Sequence, residues 1–381
     1  MKLAIYEAVH LECVIPLAEL LKESPYSVTF FVHKKMQEDI ENSLSRDNYA
    51  MYNWVYMEDQ SISSLYKSFN HHINLQQYDL LWLNTNDSRH IVFALLKLAH
   101  KKMKLLINVH EINNFFRPHV SLNIRHLVRS VSKKILSRYA DAYILNADKM
   151  KENIEIHKLT LKPCYVVTPV YYKAEDNKLP PGNKFTVVIP GSVDERRRNY
   201  RSALRAWKMF IEEKDPAINA TLILAGPLTR HGEVIAATCA NDAGLQDTVR
   251  LFDDEIPEQI FQRILADAAV LLSPQNIKTS TSDNIEEEYG VTKTSGNTCD
   301  AIRHAKPYII PRRLAIPGDI ETSAIRYSED SELAGIFKTL STDKSALGRF
   351  REKATENSQK FSYESMRQKI LTMLTAVLAP Q

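Results

Sequence analysis

Three consecutive arginines follow a glycine in the second half of the chain, directly after a short apolar run. The run TVVIP is followed by GSVDERRRNY, in which the arginines are residues 196–198. A glycine lets the backbone turn tightly beside a ligand, and guanidinium groups bind phosphates through forked, charge-assisted hydrogen bonds. The segment therefore predicts a diphosphate site made by Gly191, Ser192, Arg197 and Arg198. The alternative interpretation is a solvated, positively charged surface.

Two further segments of the same half could bind a phosphate. Gly226 ends the apolar run LILAG, where a simple tight turn is the alternative. Farther on, the helical sequence DAIRHA is preceded by Ser295, Gly296, Asn297 and Thr298. The unpaired N–H groups at a helix start favour a phosphate, although Ser295 and Asn297 are also ordinary N-capping residues. Asp300, one turn inside this helix, could hold ribose hydroxyls.

Histidines and carboxylates follow two apolar runs of the first half. His110 and Glu111 come after LLINV, and His10 and Glu12 come after the first apolar run of the chain. A positioned imidazole or carboxylate can hydrogen-bond a substrate or accept its proton. Because ten of the twelve histidines lie in this half, a bystander role for any one of them is the alternative.

Parallel strands with crossover helices would position these groups together. Short apolar runs alternate with amphipathic stretches in both halves, which is typical of doubly wound α/β domains. The segment after ADAAVLLS up to Ser295 and the polar stretch before the last helix are predicted to be loops. Ligands bind such domains at the carboxyl ends of the strands. The charged, proline-containing stretch KAEDNKLPPGNK predicts a linker. We therefore predict an N-terminal Rossmann-like domain (residues 1–172), a linker (173–184), a C-terminal Rossmann-like domain (185–360) and a helix (361–381) that packs back toward the N-terminal domain.

The order of features between residues 191 and 311 resembles the donor domain of a large family of retaining glycosyltransferases. That family includes sucrose synthases and bacterial mannosyltransferases. The resemblance rests on the glycine and basic residues after TVVIP, on LAGP, on ADAAVLLSP, on the acidic loop with Glu287, Tyr289 and Gly290, and on KPYII after Asp300. It implies a GT-B fold, in which an N-terminal Rossmann-like acceptor domain and a C-terminal Rossmann-like donor domain that binds the nucleotide sugar face a cleft. It also implies a retaining transfer, without metal or cofactor, from a UDP- or GDP-linked sugar to a hydroxyl of a glycan or lipid-linked glycan.

The resemblance also implies roles for individual residues. Gly191 with Arg197 or Arg198 would bind the diphosphate, residues 295–298 would add backbone donors, and Asp300 would bind the ribose. Glu287 would be the sugar-side acid, and His110 would face the donor sugar across the cleft. Two features differ from the family. Its two acids are usually eight residues apart, whereas Glu287 and Asp300 are thirteen apart, and its glycine-rich first loop is replaced here by YEAVHLE.

Charge and cysteine usage indicate the surroundings in which the protein works. The net charge is +3, but residues 97–151 hold 12 basic and 3 acidic side chains. Within them, residues 121–139 form a basic amphipathic helix that could lie on an anionic membrane at its inner face. The plainer interpretation, which we favour, is a helix that faces the core with a solvated basic side.

Four separated cysteines are typical of reduced thiols in a cytoplasmic protein. The basic region lacks the interleaved aromatic residues of a nucleic-acid binder, so no nucleic acid is predicted as a partner.

Two other functions fit the same sequence. A nucleotide-sugar epimerase of this fold would need an acidic, histidine-lined sugar site. A non-catalytic protein whose two domains close on a small ligand would turn over no donor. The acidic triplet at residues 253–255 is interpreted as surface, so no metal site is predicted.

Overall fold

The computed structural model describes residues 1–58, 61–85, 89–118, 123–174, 184–281 and 283–379. Most of the predicted linker, at residues 175–183, lies outside the described part of the chain. The predicted domain limits at residues 172, 184 and 360 therefore stay a prediction.

A seven-stranded parallel sheet forms the first half of the chain. Its strand order is β3-β2-β1-β4-β5-β6-β7, with β1 Lys2–Glu7, β2 Ser27–His33, β3 Asn53–Met57, β4 Leu80–Leu83, β5 Lys104–Asn108, β6 Ala142–Leu145 and β7 Cys164–Val166. The helices are α1 Leu11–Leu20, α2 Gln37–Ser43, α3 Arg46–Ala50, α4 Ile62–Gln76, α5 His90–Ala99, α6 Ile112–Phe116, α7 Ile124–Tyr139 and α8 Asp148–Ile156. The strand order reverses between β1 and β4, so the loops after these strands diverge and leave a crevice.

A six-stranded parallel sheet forms the second half, in the order β10-β9-β8-β11-β14-β15. The strands are β8 Lys184–Pro190, β9 Asn219–Pro227, β10 Val249–Phe252, β11 Val270–Leu272, β14 Tyr308–Pro311 and β15 Ala324–Tyr327. A separate antiparallel hairpin consists of β12 Lys278–Ser280 and β13 Glu286–Glu288. The helices are α9 Tyr200–Glu213, α10 Glu233–Ala240, α11 Ala243–Gln246, α12 Glu258–Ala266, α13 Gly296–Arg303, α14 Asp330–Thr342, α15 Lys344–Gln359 and α16 Tyr363–Leu378.

The C-terminal helix α16 packs on the first half of the chain. The Tyr363 hydroxyl donates to the Glu19 carbonyl at 3.1 Å, and the Arg367 guanidinium donates to the Lys22 carbonyl at 3.3 Å. Apolar residues of α16, such as Ile370 and Leu374, belong to one continuous cluster with a face of each sheet. Burial of this shared apolar surface holds the two halves together.

The predicted fold class is confirmed, with two corrections to its elements. The polar stretch before the last helix, predicted as a loop, contains α14 and α15. The buried face of α15 consists largely of small or polar residues, such as Ala346, Ala354 and Ser358, so it produces little apolar periodicity. The segment predicted as one loop up to Ser295 contains the β12–β13 hairpin.

Helix α7 faces the core only in part, unlike the orientation we favoured from the sequence. Leu136 is buried and Ile135 packs against the core. Leu127 and Val131, however, are exposed, whereas Lys133 is only 4% exposed. The core-facing interpretation is therefore wrong for Leu127 and Val131, because part of the basic side of the helix faces Asp283 instead. Leu122, within the predicted helix at residues 121–139, lies outside the described residues.

Candidate functional site

The second sheet reverses its strand order between β8 and β11, and the loops after both strands meet there. The Asn199 amide donates to the Pro274 carbonyl at 2.7 Å, and Arg198 forms an isolated bridge with Gln275. A reversal of this kind leaves a crevice at the carboxyl ends of parallel strands. The first sequence-predicted segment, at residues 191–200, lies at this point.

Arg198 joins two of the predicted segments directly. Its guanidinium donates to the Ser192 carbonyl at 2.9 Å and to the Asn297 side-chain oxygen at 3.0 Å. The side chain is buried, and its Nε–H has no hydrogen-bond partner among the described residues. Gly191 has a left-handed φ of +86°, and a Cβ added there would lie 2.9 Å from the guanidinium. The Gly191 loop and the start of α13 thus enclose the buried guanidinium of Arg198, and its Nε–H is available to donate one more hydrogen bond.

Hydrogen bonds continue from Arg198 along the start of α13. The Asn297 amide donates to the Ser273 hydroxyl at 3.1 Å, which donates to Gln275 at 3.1 Å. The Ser295 hydroxyl reaches the same Gln275 oxygen at 3.4 Å. A Cβ added at Gly296 would have nothing within 4 Å, so the helix start is open on that side. The Thr298 amide donates to the Ser295 carbonyl at 3.1 Å, whereas the amides of Gly296 and Asn297, at the very start of the helix, are the ones that an anion could engage.

The other predicted phosphate ligands have different surroundings. Arg196 is exposed and pairs with Asp194 at 2.8 Å, and Arg197 is exposed at 4.0 Å from the same carboxylate. A Cβ at Gly226 would lie 2.4 Å from the Gly191 carbonyl carbon. Gly226 therefore allows the close approach of the Gly191 loop. The structure brings Arg198, Ser192 and residues 295–298 together, and it places the side chains of Arg196 and Arg197 outside this network.

Asp300 lies on α13 within an acidic neighbourhood. Burial, together with the charges of Glu12 and Glu258, raises its pKa to about 7, although Arg303 and Arg198 act in the opposite direction. The protonated carboxyl group can both donate and accept hydrogen bonds. This property suits a group that faces vicinal hydroxyls.

The shifted pKa of Asp300 predicts a pH-dependent stability. The folded protein keeps the proton up to about pH 7, whereas the ordinary pKa of the group is 3.8. Between these values the folded state binds more protons, so stability falls as pH rises. We expect the melting temperature of the wild type, relative to Asp300→Asn, to fall by a few degrees between pH 4.5 and 7.5. Parallel melting profiles for the two proteins would contradict the shift.

A cavity of about 440 Å³ lies at the strand reversal of the first sheet. Its lining comes from the loops after β1, β4 and β5, from α7, and from Asp283 of the second half. His110 lines it, with Nε2 at 2.8 Å from the Asn84 carbonyl and Nδ1 at 3.4 Å from the Asn146 amide. Nε2 therefore carries the proton. Burial and the nearby charge of His10 lower the pKa of His110 to about 4, so its imidazole is neutral at physiological pH.

His10 faces the same cavity and is paired with a carboxylate. Its Nδ1 lies 2.7 Å from Glu12, and its ring lies 5.8 Å from the His110 ring in a stacked arrangement. Burial opposes the charged imidazolium, but the hydrogen bond and charge of Glu12 outweigh burial and raise the pKa of His10. With Nδ1 held by Glu12, Nε2 is the nitrogen available to a substrate.

Glu287 reaches from the second half to the start of α6 in the first. It is fully buried and accepts hydrogen bonds from the amides of Asn114 at 2.7 Å and Asn113 at 3.3 Å. Burial raises its pKa. Beside it, Lys293 pairs with Glu111, and the Ile112 amide donates to the Thr292 carbonyl at 2.9 Å. The hydrogen bonds of Glu287 thus link the two halves of the chain in this conformation.

Asn146 connects the cavity to the crevice at α13. Its side-chain amide lies 3.4 Å from His110 Nδ1 and 3.4 Å from the Thr294 hydroxyl. Asn146 therefore links the His110 cavity to the segment that leads into α13.

Several residues of the site were not found from the sequence. Ser273 and Gln275 follow the strand sequence VLL, and their position at a strand end was the available signal. The cavity is also lined by Lys133, Arg129 and Asp283. The two basic residues were not found because the basic side of α7 was assigned to solvent, and Asp283 was not found because its segment was predicted as a loop without a site. Asp253–Glu255, interpreted as surface, are exposed. The described residues contain no group of three or more histidine, cysteine or acidic side chains that could hold a metal ion.

Comparisons with known proteins found similarity in structure only. No family model matches the sequence, and no curated protein matches it. Among solved structures, sucrose-phosphate synthase from Thermosynechococcus elongatus has a TM-score of 0.70 at 13% identity, over 99% of both chains. HepE of Anabaena, solved in complex with UDP, has a TM-score of 0.66 at 15% identity, over 99% of this chain and all of that one. UDP-GlcNAc 2-epimerase from Neisseria meningitidis, bound to UDP-GlcNAc, has a TM-score of 0.60 at 11% identity, over 99% and 100%.

These proteins share two facing parallel-sheet domains with this chain over nearly its whole length. At such low identity the likeness establishes architecture and leaves the reaction to be argued from the site. The chain has the GT-B fold.

Proposed function

We propose that this protein is a glycosyltransferase that moves a sugar from a UDP-linked donor to a hydroxyl acceptor. The observation that carries the proposal is buried Arg198, held between the Gly191 loop and the start of α13 with its Nε–H unpartnered among the described residues. A guanidinium beside open helix amides suits a diphosphate. Structures similar in fold were solved with UDP or UDP-GlcNAc, which favours uridine over guanosine.

Catalysis in this proposal comes from charge stabilisation and orientation. Cleavage of the sugar–phosphate bond leaves negative charge on the diphosphate, and Arg198 with the α13 amides stabilises that charge. Asp300 holds the ribose. His110 accepts a hydrogen bond from the transferred sugar through Nδ1, whose contact with the Asn146 amide is long at 3.4 Å. Retention of anomeric configuration is taken from the family resemblance. An acceptor hydroxyl approaches from the 440 Å³ cavity, its oxygen forms the new glycosidic bond, and its proton passes to the departing diphosphate oxygen. The acceptor is a glycan or lipid-linked glycan.

A thermal-shift screen tests the proposal directly. A ligand that binds only the folded state raises its stability by about 2.7 kcal/mol at a hundredfold excess over its Kd. We expect UDP to raise the melting temperature by several degrees, and more than GDP or ADP at the same concentration. If no nucleoside diphosphate shifts the melting temperature, the proposal fails.

An epimerase is the second candidate, because His10, His110, Glu12 and Glu111 surround or adjoin the cavity where the sugar would extend. Incubation with UDP-GlcNAc alone separates the two functions. A transferase without an acceptor leaves the sugar configuration unchanged, whereas an epimerase accumulates the C2 epimer. A protein that binds the donor and neither transfers nor epimerises it would instead be a non-catalytic two-domain binder.

We further propose that the protein is cytoplasmic and that α7 lies on the anionic inner face of the membrane. Ile124 is 75% exposed and Val128 47% exposed, and exposed Leu95 and Leu98 on α5 extend the apolar surface. Neither helix contains an acidic residue, and the surface is bordered by exposed Arg125, Lys134 and Arg138. Apolar side chains beside cations suit an anionic lipid surface. No described helix is long and apolar enough to cross a bilayer.

Vesicle sedimentation tests the proposed contact. We expect Val128→Glu with Val131→Glu to lower binding to phosphatidylglycerol-containing vesicles at least tenfold, since two exposed apolar side chains that would enter the lipid are replaced by charges that anionic lipid repels. Ile260→Glu, at an exposed apolar residue of α12, is the matched control and should bind like the wild type. Equal loss in both proteins, or no binding by the wild type, would exclude this surface.

A further inference from the structure

Two cations and a histidine of α7 converge on a single carboxylate at the edge of the cavity. Asp283 lies 3.0 Å from Arg129, 3.1 Å from Lys133 and 3.2 Å from His126. The three side chains occupy positions i, i+3 and i+7, so they share one face of the helix. All three belong to the first half of the chain, whereas the carboxylate belongs to the loop of the β12–β13 hairpin in the second half. The cluster is therefore complete only while the hairpin is docked.

Two further polar groups face this cluster from the cavity. His90 is 3% exposed, and its Nδ1 has no partner among the described residues. Asn114 accepts a hydrogen bond from Lys133 at 2.6 Å. The other carboxylate that lines the cavity, Glu111, is already paired with Lys293. Among the described lining residues, Asp283 is thus the acid that forms ion pairs with both Arg129 and Lys133, while Glu111 attracts Lys133 only through space.

Lys133 has a side chain that is 5% exposed, and a buried ammonium without an anion is strongly disfavoured. A neutral sugar would give this cluster no counter-charge when the hairpin moves away. A carboxylate or phosphate on the substrate would give it the same oxygen ligands that Asp283 supplies. The cavity volume of about 440 Å³ is within the usual range for small-molecule sites.

We propose that Arg129 and Lys133 form an anion subsite of the acceptor cavity, and that the acceptor carries an acidic group which replaces Asp283 there. The acidic group is a carboxylate, as in a uronic acid, or a phosphate, as in a phosphorylated or lipid-linked acceptor. This inference rests on the proposed function for its assignment to an acceptor, while the anion subsite itself can be measured separately.

The test uses inorganic phosphate as the probe, titrated calorimetrically in the presence of saturating UDP so that the Arg198 crevice is filled. Asp283→Asn removes the competing carboxylate and keeps an oxygen for Lys133, so phosphate affinity should rise at least about tenfold over the wild type. Adding Lys133→Met or Arg129→Gln to Asp283→Asn should abolish that gain. Lys134→Met, at the adjacent exposed lysine, is the matched control and should leave the gain intact.

Glucuronate and glucose, titrated into Asp283→Asn, then distinguish the sources of the anion. Tighter binding of glucuronate than of phosphate assigns a carboxylate, tighter binding of phosphate assigns a phosphate, and equal binding of glucose and glucuronate overturns the proposal. An unchanged phosphate affinity in Asp283→Asn also overturns it. UDP affinity, measured on the same proteins, separates this result from the proposed function. Loss of UDP binding with an intact phosphate response would reject the transferase and keep the subsite.

Discussion

Replacing Arg198 with methionine is expected to weaken UDP binding by about 10- to 100-fold. A charge-assisted hydrogen bond contributes roughly 1.5–3 kcal/mol, and each 1.4 kcal/mol changes Kd about tenfold. Arg198 is the predicted arginine whose guanidinium contacts both the Gly191 loop and α13. Isothermal titration of UDP into the wild type and the variant measures the difference.

Two further variants control for the loss of a buried side chain. Arg198→Lys keeps the charge without the planar fork, so we expect an intermediate affinity. Arg196→Met removes an exposed arginine that pairs with Asp194, and its UDP affinity should match the wild type. Melting curves without ligand show whether each protein is folded. Equal UDP affinities in Arg198→Met and Arg196→Met would remove Arg198 from the site.

Glu287→Ala is expected to destabilise the protein while leaving UDP affinity within about threefold of the wild type. The change leaves the Asn113 and Asn114 amides without their acceptor. An unsatisfied buried donor costs about 1–3 kcal/mol, so the melting temperature should fall by roughly 2–10 °C. Thermal unfolding and UDP titration on the same sample measure both quantities.

Glu287→Gln separates the hydrogen bonds of this residue from its charge. Glutamine keeps an oxygen for the amides and removes the charge that burial disfavours, as the raised pKa of Glu287 indicates. We therefore expect this variant to melt at or above the wild-type temperature at pH 7. If both variants instead melt normally and lose affinity for UDP-GlcNAc more than for UDP, Glu287 contacts the sugar as the family resemblance implied.

The architecture could be predicted from the sequence because buried parallel strands are short, apolar and regularly spaced. β8 and β9, for example, follow directly from TVVIP and TLILA. Helix α15 was missed because its buried positions include alanine and serine, which carry almost no apolar signal. The orientation of α7 could not be predicted from the sequence either. Its exposed valines and buried lysine reverse the usual pattern, in which apolar residues face the core and charged residues face solvent.

The sequence predicted which loops form the candidate site, but it did not predict which side chains of those loops point into it. Strand ends identified the Gly191 loop and the start of α13. The sequence could not separate Arg198 from Arg197, because the run of three arginines does not show which side chain is buried and which is exposed. Asp283 and Lys133 are 150 residues apart in sequence, so only the docking of the hairpin on α7 reveals their contact.

A crystal structure with UDP tests the central claim most directly. The account predicts diphosphate oxygens about 3 Å from the Arg198 guanidinium and from the first amides of α13, in the crevice between the β8 and β11 loops. UDP bound elsewhere on the chain, with Arg198 still confined to Ser192 and Asn297, would contradict the proposed donor site.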